Sequence, residues 1–113
     1  MAKPLRGEVW MTDLDPTRGH EQAGKRPALV VSADALGAGP AGLVIILPVT
    51  SKEKGVRSHV PVEPPEGGLR TRSFVKCEDV RSVAAERLGK RLGRVSLATM
   101  HAVAERLRIL MEL

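Results

Sequence analysis

The chain contains no tyrosine and no asparagine, a single cysteine, and only two aromatic residues, Trp10 and Phe74. With Cys77 alone, an intrachain disulfide and a four-cysteine metal site are both impossible. An RNA-recognition sheet built on stacked rings has too few of them, and a Cys/His/Asn triad lacks its Asn. Bidentate reading of adenine falls to Gln22, the one carboxamide side chain present. Met1 to Trp10 lacks the apolar core of a secretory signal. The longest apolar stretch, Ala41 to Val49, is far short of the ~20 residues of a membrane span. The expectation is a soluble, cytoplasmic protein with no membrane partner.

The 113 residues suit one domain, 1–113, with 42% hydrophobic and 27% charged residues, ordinary globular values that argue against wholesale disorder. The formal charge is +5, and its distribution says more than its sum. Residues 1–69 carry eight basic and eight acidic side chains, and residues 95–113 carry two of each. Residues 70–94 carry eight basic groups (Arg70, Arg72, Lys76, Arg81, Arg87, Lys90, Arg91, Arg94) against three acidic ones, so the whole excess lies there. Such a segment is either a solvated basic face or a surface that attracts phosphates.

Hydrophobic patterning reads as several short strands closed by one helix. Gly7 to Leu14, Ala28 to Ser32 and Leu43 to Thr50 are strand-like, the last with the β-branched richness of a buried strand. Ser58 to Glu63 alternates before the turn Pro64 to Gly68, and Ser73 to Val83 suggests one or two further strands. Ala33 to Gly42 reads as a loop, and the tandem Arg87-Leu88-Gly89-Lys90 and Arg91-Leu92-Gly93-Arg94 as a turn region. Leu97, Met100, Ala104, Leu107 and Met111 recur at spacings of 3 and 4, one face of a helix that Ser96 caps and whose polar face holds His101, Glu105, Arg108 and Glu112. This pattern favours a mainly β fold: a small bent sheet or barrel with a C-terminal helix packed on it.

Three local motifs fail on context. Gly37 to Gly42 spells a dinucleotide-binding pattern but leads into a strand, where that motif must open a helix. Asp13-Leu14-Asp15-Pro16-Thr17 resembles an aspartyl-phosphate nucleophile motif in a chain too small for that fold, and Ser51-Lys52-Glu53-Lys54 lacks the partner motifs of a Ser-x-x-Lys enzyme. His20, His59 and His101 have no metal-ligand spacing, so no metal and no cofactor is expected.

Two segments carry chemistry. Thr12 to Pro27 is a long connection for a compact domain, and such loops are usually functional. It holds Arg18, His20, Glu21, Gln22, Lys25 and Arg26, all able to contact phosphates or bases. Pro48-Val49-Thr50-Ser51 ends a buried strand with two hydroxyls and is followed by Lys52 and Lys54. A hydroxyl pair at a strand end can hold a phosphodiester or satisfy a turn.

Together these segments resemble the MazF/PemK-like (Kid-like) toxin family of toxin–antitoxin systems. The likeness runs through Arg6-Gly7-Glu8-Val9-Trp10, Asp13 to Ser32 with its specific Glu21-Gln22-Ala23-Gly24-Lys25-Arg26-Pro27 string, Pro48 to Ser51, Val80 to Val83 and Arg87-Leu88-Gly89. The resemblance implies an SH3-like β-barrel with a C-terminal helix, normally a homodimer. It implies an endoribonuclease that cuts single-stranded RNA at short motifs without metal, leaving 2′,3′-cyclic phosphate and 5′-hydroxyl ends, and that an antitoxin neutralises. The family's catalytic Arg, Thr and loop Glu match Arg26, Thr50 and Glu21. The expected RNA contacts are Arg18, His20, Gln22, Lys25, Ser51, Lys54 and Arg81.

Physical chemistry assigns the roles unevenly. A guanidinium binds phosphate bidentately and keeps its proton, so Arg26 suits charge stabilisation or proton donation to the leaving oxygen better than base catalysis. Thr50 would position the phosphate. Glu21 would take the 2′-OH proton or orient Arg26, with His20 as a substitute for the base. The chain departs from the family's usual Asp-Gln by carrying Glu78-Asp79 before Val80-Arg81, which bears on base selection. Few aromatics leave Arg planes and Trp10, if it is not core, as stacking platforms. An acidic, extended antitoxin is the expected protein partner. The rival classes are a non-catalytic toxin that poisons a protein such as a topoisomerase, and a basic nucleic-acid-binding module without turnover.

Overall fold

The computed structural model describes residues 3–15 and 24–113. Seven strands precede the last helix: β1 (Glu8–Asp13), β2 (Lys25–Val30), β3 (Leu43–Thr50), β4 (His59–Val62), β5 (Ser73–Lys76), β6 (Arg81–Ala84) and β7 (Leu88–Arg94). A short helix α1 (Asp34–Ala38) lies between β2 and β3, and α2 (Leu97–Met111) closes the chain. The pairings are antiparallel, in the order β4-β5-β3-β2-β1-β7, with β6 on the same side of β3 as β5. Among the described residues no helix is long and apolar enough to cross a membrane.

Both faces of the central strands are buried, which is why β3 reads as a nearly continuous apolar run. Alternation sends Val9, Leu29, Leu47 and Val49 to one face, where they pack with Val60, Val62, Val75, Met100 and Val103 under α2. The intervening Trp10, Ala28, Val30, Val44 and Ile46 form a second core with Leu14, Val83 and Leu88. Trp10 is therefore a core side chain, its indole N–H donating to Glu8 Oε1 at 3.1 Å, and not a stacking platform.

The mainly β architecture with a C-terminal helix stands as expected, and β3 begins and ends at the anticipated residues. The sheet is barrel-like, yet its hydrogen-bonded order stays open between β4 and β7. The turn at Glu66–Gly68 packs on β7 across that opening. Gly68 (φ +72°) and Gly93 make this approach possible: a Cβ on Gly68 would lie 1.9 Å from the Leu92 carbonyl oxygen, and one on Gly93 would lie 2.6 Å from Gly67 C.

Three segments differ from the sequence reading. The connection expected over Thr12 to Pro27 is shorter, because Thr12 and Asp13 end β1 and Lys25 to Pro27 begin β2. Part of the loop expected at 33–42 coils into the short helix α1, started at Asp34. The tandem expected to be a turn is strand β7. It pairs with β1 through backbone groups, from Glu8↔Arg94 to Thr12↔Leu88 with two irregularities, so its Gly and basic side chains give no strand pattern. In α2, Ser96 Oγ accepts the Thr99 N–H at 3.1 Å, the cap expected there. Its buried line is Met100 and Val103, whereas Leu97 is 81% exposed and Met111 47%, because the helix rests on β4 and the Cys77–Asp79 turn by its middle.

Candidate active site

The two strand ends singled out by sequence meet in the sheet. The β2–β3 ladder pairs Val30↔Ile46, Leu29↔Leu47 and Ala28↔Pro48. The ladder ends two residues short of Arg26 and of Thr50, which pair instead with Thr12 of β1 and Phe74 of β5. β3 then passes to β5, with Thr50↔Phe74 as the last pair. By alternation Thr50 and Lys76 lie on the face of the second core, and Arg81 joins it through Ile46↔Arg81. The polar end of the second core thus gathers Thr50, Lys76 and Arg81.

Buried charge there is held by Asp79. Its Oδ2 lies 2.8 Å from Arg81 Nη2 and 3.8 Å from Lys76 Nζ, all three side chains being at most 15% exposed. An ion pair this dry is retained only with good geometry and further hydrogen bonds. Arg81 Nη1 also donates to the Leu14 carbonyl at 3.5 Å, and Arg87 Nη1 donates to the carbonyls of Asp13 and Asp15. Leu14 N–H donates to Gly24 O, and Gly24 N–H to Asp15 Oδ1, each at 3.0 Å. Leu14, Asp15 and Gly24 are thereby tied to one another. Arg18, His20, Glu21 and Gln22 lie in the 16–23 segment, outside the described residues.

A cleft of about 400 Å³ opens on the opposite face, with Arg26 reaching its lining. Ser51 after β3, Arg70 and Thr71 before β5, Ser73 at its start, and Lys90 of β7 supply its polar groups, beside Met11, Val49, Leu69 and Leu92. No acidic residue lines it among the described residues. Thr50 is buried at 7% exposure, its Oγ1 accepting the Lys52 N–H at 3.1 Å. Lys25 and Lys54 are exposed and do not line this cleft.

The structure sorts the basic segment 70–94. Arg72 pairs with Glu53 (2.8 Å) and Glu63 (2.5 Å) and stacks over Phe74, its carbon 4.9 Å from the ring centre. Arg91 (2.6 Å) and Arg94 (4.0 Å) both face Glu8. Lys76 and Arg81 share Asp79, and Arg87 is spent on loop carbonyls. Among the described residues, Arg70 and Lys90 have no carboxylate partner, and both line the cleft. In the sequence they are patch charges and no more; the charge excess points to them, while nothing points to Thr71 and Ser73, which fold alone brings in.

Carboxylates and thiol divide by environment. Burial alone would raise Glu8, but hydrogen bonds from Leu5 N–H, Arg91 and Trp10 outweigh it and hold the carboxyl below its ordinary range. Glu78 is likewise lowered against burial, by Ser58 and His59. Burial pushes the Cys77 thiol up to about 12, so it is no nucleophile. Among the described residues no three His, Cys, Asp or Glu side chains converge as metal ligands.

Comparison with known proteins matches residues 5–111 to the family model described as PemK-like, MazF-like toxin of type II toxin–antitoxin system. Endoribonuclease MazF9 of Mycobacterium tuberculosis is 38% identical, over 96% of each chain. The crystal structure of MazF from Deinococcus radiodurans superposes with a TM-score of 0.89 at 29% identity, covering 100% of both chains. An endoribonuclease in complex with its cognate antitoxin, from a mycobacterial species, follows at 0.80 and 26%, over 97% of this chain and 96% of that one.

Proposed function

The chain belongs to the PemK-like, MazF-like toxin family of type II toxin–antitoxin systems and is an RNA-cleaving toxin, and on that premise we propose that it cuts single-stranded RNA by internal transesterification. The observation that carries this reading is the convergence of Arg26, Ser51, Arg70 and Lys90 on one cleft with no carboxylate lining it among the described residues. Such a surface takes a polyanion and little else. With three cations and hydroxyls it suits a bent phosphodiester backbone, whose charge it neutralises in a salt-dependent way.

The ribose 2′-oxygen attacks the adjacent phosphorus, the P–O5′ bond breaks, and a 2′,3′-cyclic phosphate and a 5′-hydroxyl result. Negative charge grows on the non-bridging oxygens, where the Arg26 fork stabilises it. Ser51 contacts the phosphate in the cleft, and Thr50, buried beside it on the other face of the strand, positions it through the turn whose Lys52 N–H it accepts. Glu21, or His20 in its place, takes the 2′-OH proton, and a proton returns to O5′ as it leaves. Arg18, Gln22, Lys25, Lys54 and Arg81 extend the contact along the strand, with Arg81 acting chiefly through the loop it anchors. No step asks for a metal ion, since the nucleophile is the substrate's own hydroxyl.

The same reading makes the protein a cytoplasmic homodimer inhibited by an acidic, extended antitoxin. Competition for Arg70 and Lys90 gives that antitoxin its leverage. The test is incubation with a long RNA in EDTA followed by mapping of 5′ ends. Cleavage undiminished by chelator, with ends that a kinase labels directly, is expected. Strict Mg²⁺ dependence or 5′-phosphate products would refute it.

A further inference from the structure

The turn at Glu66–Gly68 is held from two directions. On one side Gly68 and Gly93 set it against β7, a contact that limits how closely the turn approaches but does not stop it swinging away. On the other side the Glu66 carboxylate reaches the start of α2. Its Oε2 accepts the Ser96 N–H at 3.0 Å and the Thr99 hydroxyl at 2.5 Å, with Ser96 Oγ 3.2 Å away. Burial alone would raise the Glu66 carboxyl, but the bonds from Thr99 and Ser96 outweigh it and hold it below its ordinary range.

α2 does not need Glu66 as its cap, because Ser96 Oγ already accepts the Thr99 N–H. What the carboxylate adds is a link between segments 30 and 33 residues apart. The helix is seated by its middle on β4 and the Cys77–Asp79 turn, with Met100 and Val103 buried. Through Glu66 that seat also holds the turn.

The turn leads directly into the cleft wall. Leu69 N–H donates back to the Glu66 carbonyl at 3.2 Å, and the Leu69 side chain is buried in the first core. Gly68, Leu69, Arg70 and Thr71 then line the cleft in succession, together with Lys90 and Leu92 of β7. Arg70 is exposed, and no ion pair among the described residues holds its guanidinium. Its direction is therefore set by the backbone it leaves.

We infer that Glu66 is a positioning residue for RNA binding: by tying the turn to the seated helix, it holds the cleft wall from which Arg70 meets a phosphate. The inference rests on the RNA-cleaving function proposed above. Glu66 does not line the cleft and acts through Arg70. Without the carboxylate the turn gains a motion that β7 does not oppose, and Arg70 samples more directions. Binding then pays more ordering entropy, while Arg26 and Thr50 keep their places on β2 and β3.

The test is a double-mutant cycle on cleavage of a single-stranded RNA oligonucleotide with one mapped site, run well below the Tm of every variant. Glu66→Ala should raise KM by about five- to tenfold, the scale of one hydrogen bond, and leave kcat within about twofold. In an Arg70→Gln background the same change should raise KM by less than about twofold, because the group it acts through is gone. Glu66→Gln, which still accepts at that position, should fall between the wild type and Glu66→Ala. Thr99→Val removes a donor from the other end of the link, should repeat the pattern at smaller size, and keeps the reasoning testable if Glu66→Ala folds poorly. Equal rises of KM in both backgrounds would mean a general loosening of the fold. That result, an unchanged KM in the single variants, or a loss confined to kcat overturns the inference while leaving the nuclease intact. A wild type that cuts no RNA overturns the proposed function itself.

Discussion

Replacing Gly68 by alanine probes the contact that braces the open side of the sheet. The backbone there has φ +72°, and an added Cβ would lie 1.9 Å from the Leu92 oxygen and 2.4 Å from its carbonyl carbon. Both are backbone atoms, so no rotamer change relieves the overlap. An ordinary C···O approach is no closer than about 3.3 Å. The turn must therefore move about 1.4 Å away from β7. The left-handed conformation costs an L-residue about 1–2 kcal/mol. Forcing packed elements apart adds about 1–3 kcal/mol. Together these give about 2–5 kcal/mol, or a fall in Tm of about 8–20 °C for a chain of this length. Gly55 is the control: its φ is +64°, but nothing lies within 4 Å of the place a Cβ would take. Gly55→Ala should therefore lose only the conformational part, about 4–8 °C. Thermal unfolding followed by circular dichroism measures both. Because Gly68 and Leu92 line the cationic cleft, the Gly68 variant should also cut RNA more slowly well below its Tm. Equal melting of the two variants would show that the turn does not press on β7, and the reasoning would fail.

Three further outcomes are expected. Arg26→Ala should slow RNA cleavage by about 10²–10³ with an unchanged melting curve, and Arg26→Lys should restore little because a point charge lacks the fork; wild-type turnover by a folded Arg26→Ala would displace the site. Arg70→Gln with Lys90→Gln should flatten the slope of log affinity against log salt for single-stranded RNA by about 1.4, whereas Arg72→Gln, whose charge is already met by Glu53 and Glu63, should change it far less. Equal effects would mean the ion pairs do not decide which cations bind. Glu8, Glu66 and Glu78 are all held below the ordinary carboxylate value of 4.5, so the stability they add is complete above that pH and is lost as pH falls through their folded values. Tm should accordingly drop between about pH 5 and pH 3, and Glu8→Gln should make that drop shallower.

Local pattern and short-range chemistry were enough for some of this molecule. The seven apolar residues that lead β3 to Thr50 specify a strand because they can be buried on either face, and Ser96 specifies a helix start because its hydroxyl satisfies a backbone N–H three residues on. The strings around Arg26 and Thr50 likewise carry their chemistry in residue type. Other features exist only between distant segments. β7 is a strand because β1 offers it a backbone edge, and Gly93 has a reason to be glycine only once Gly68 is pressed against it. The run 70–94 holds eight basic residues, but which of them are left to line a cleft depends on which carboxylates fold beside the others. Hydrophobic periodicity is a property of neighbours along the chain, whereas ion pairing, close backbone approach and the shape of a cleft are properties of neighbours in space. For this protein the former determined the central strands, the capped helix and the candidate reactive residues, and the latter decided that Asp79 holds Lys76 and Arg81 in place while Arg70 and Lys90 line the cleft without a carboxylate partner among the described residues.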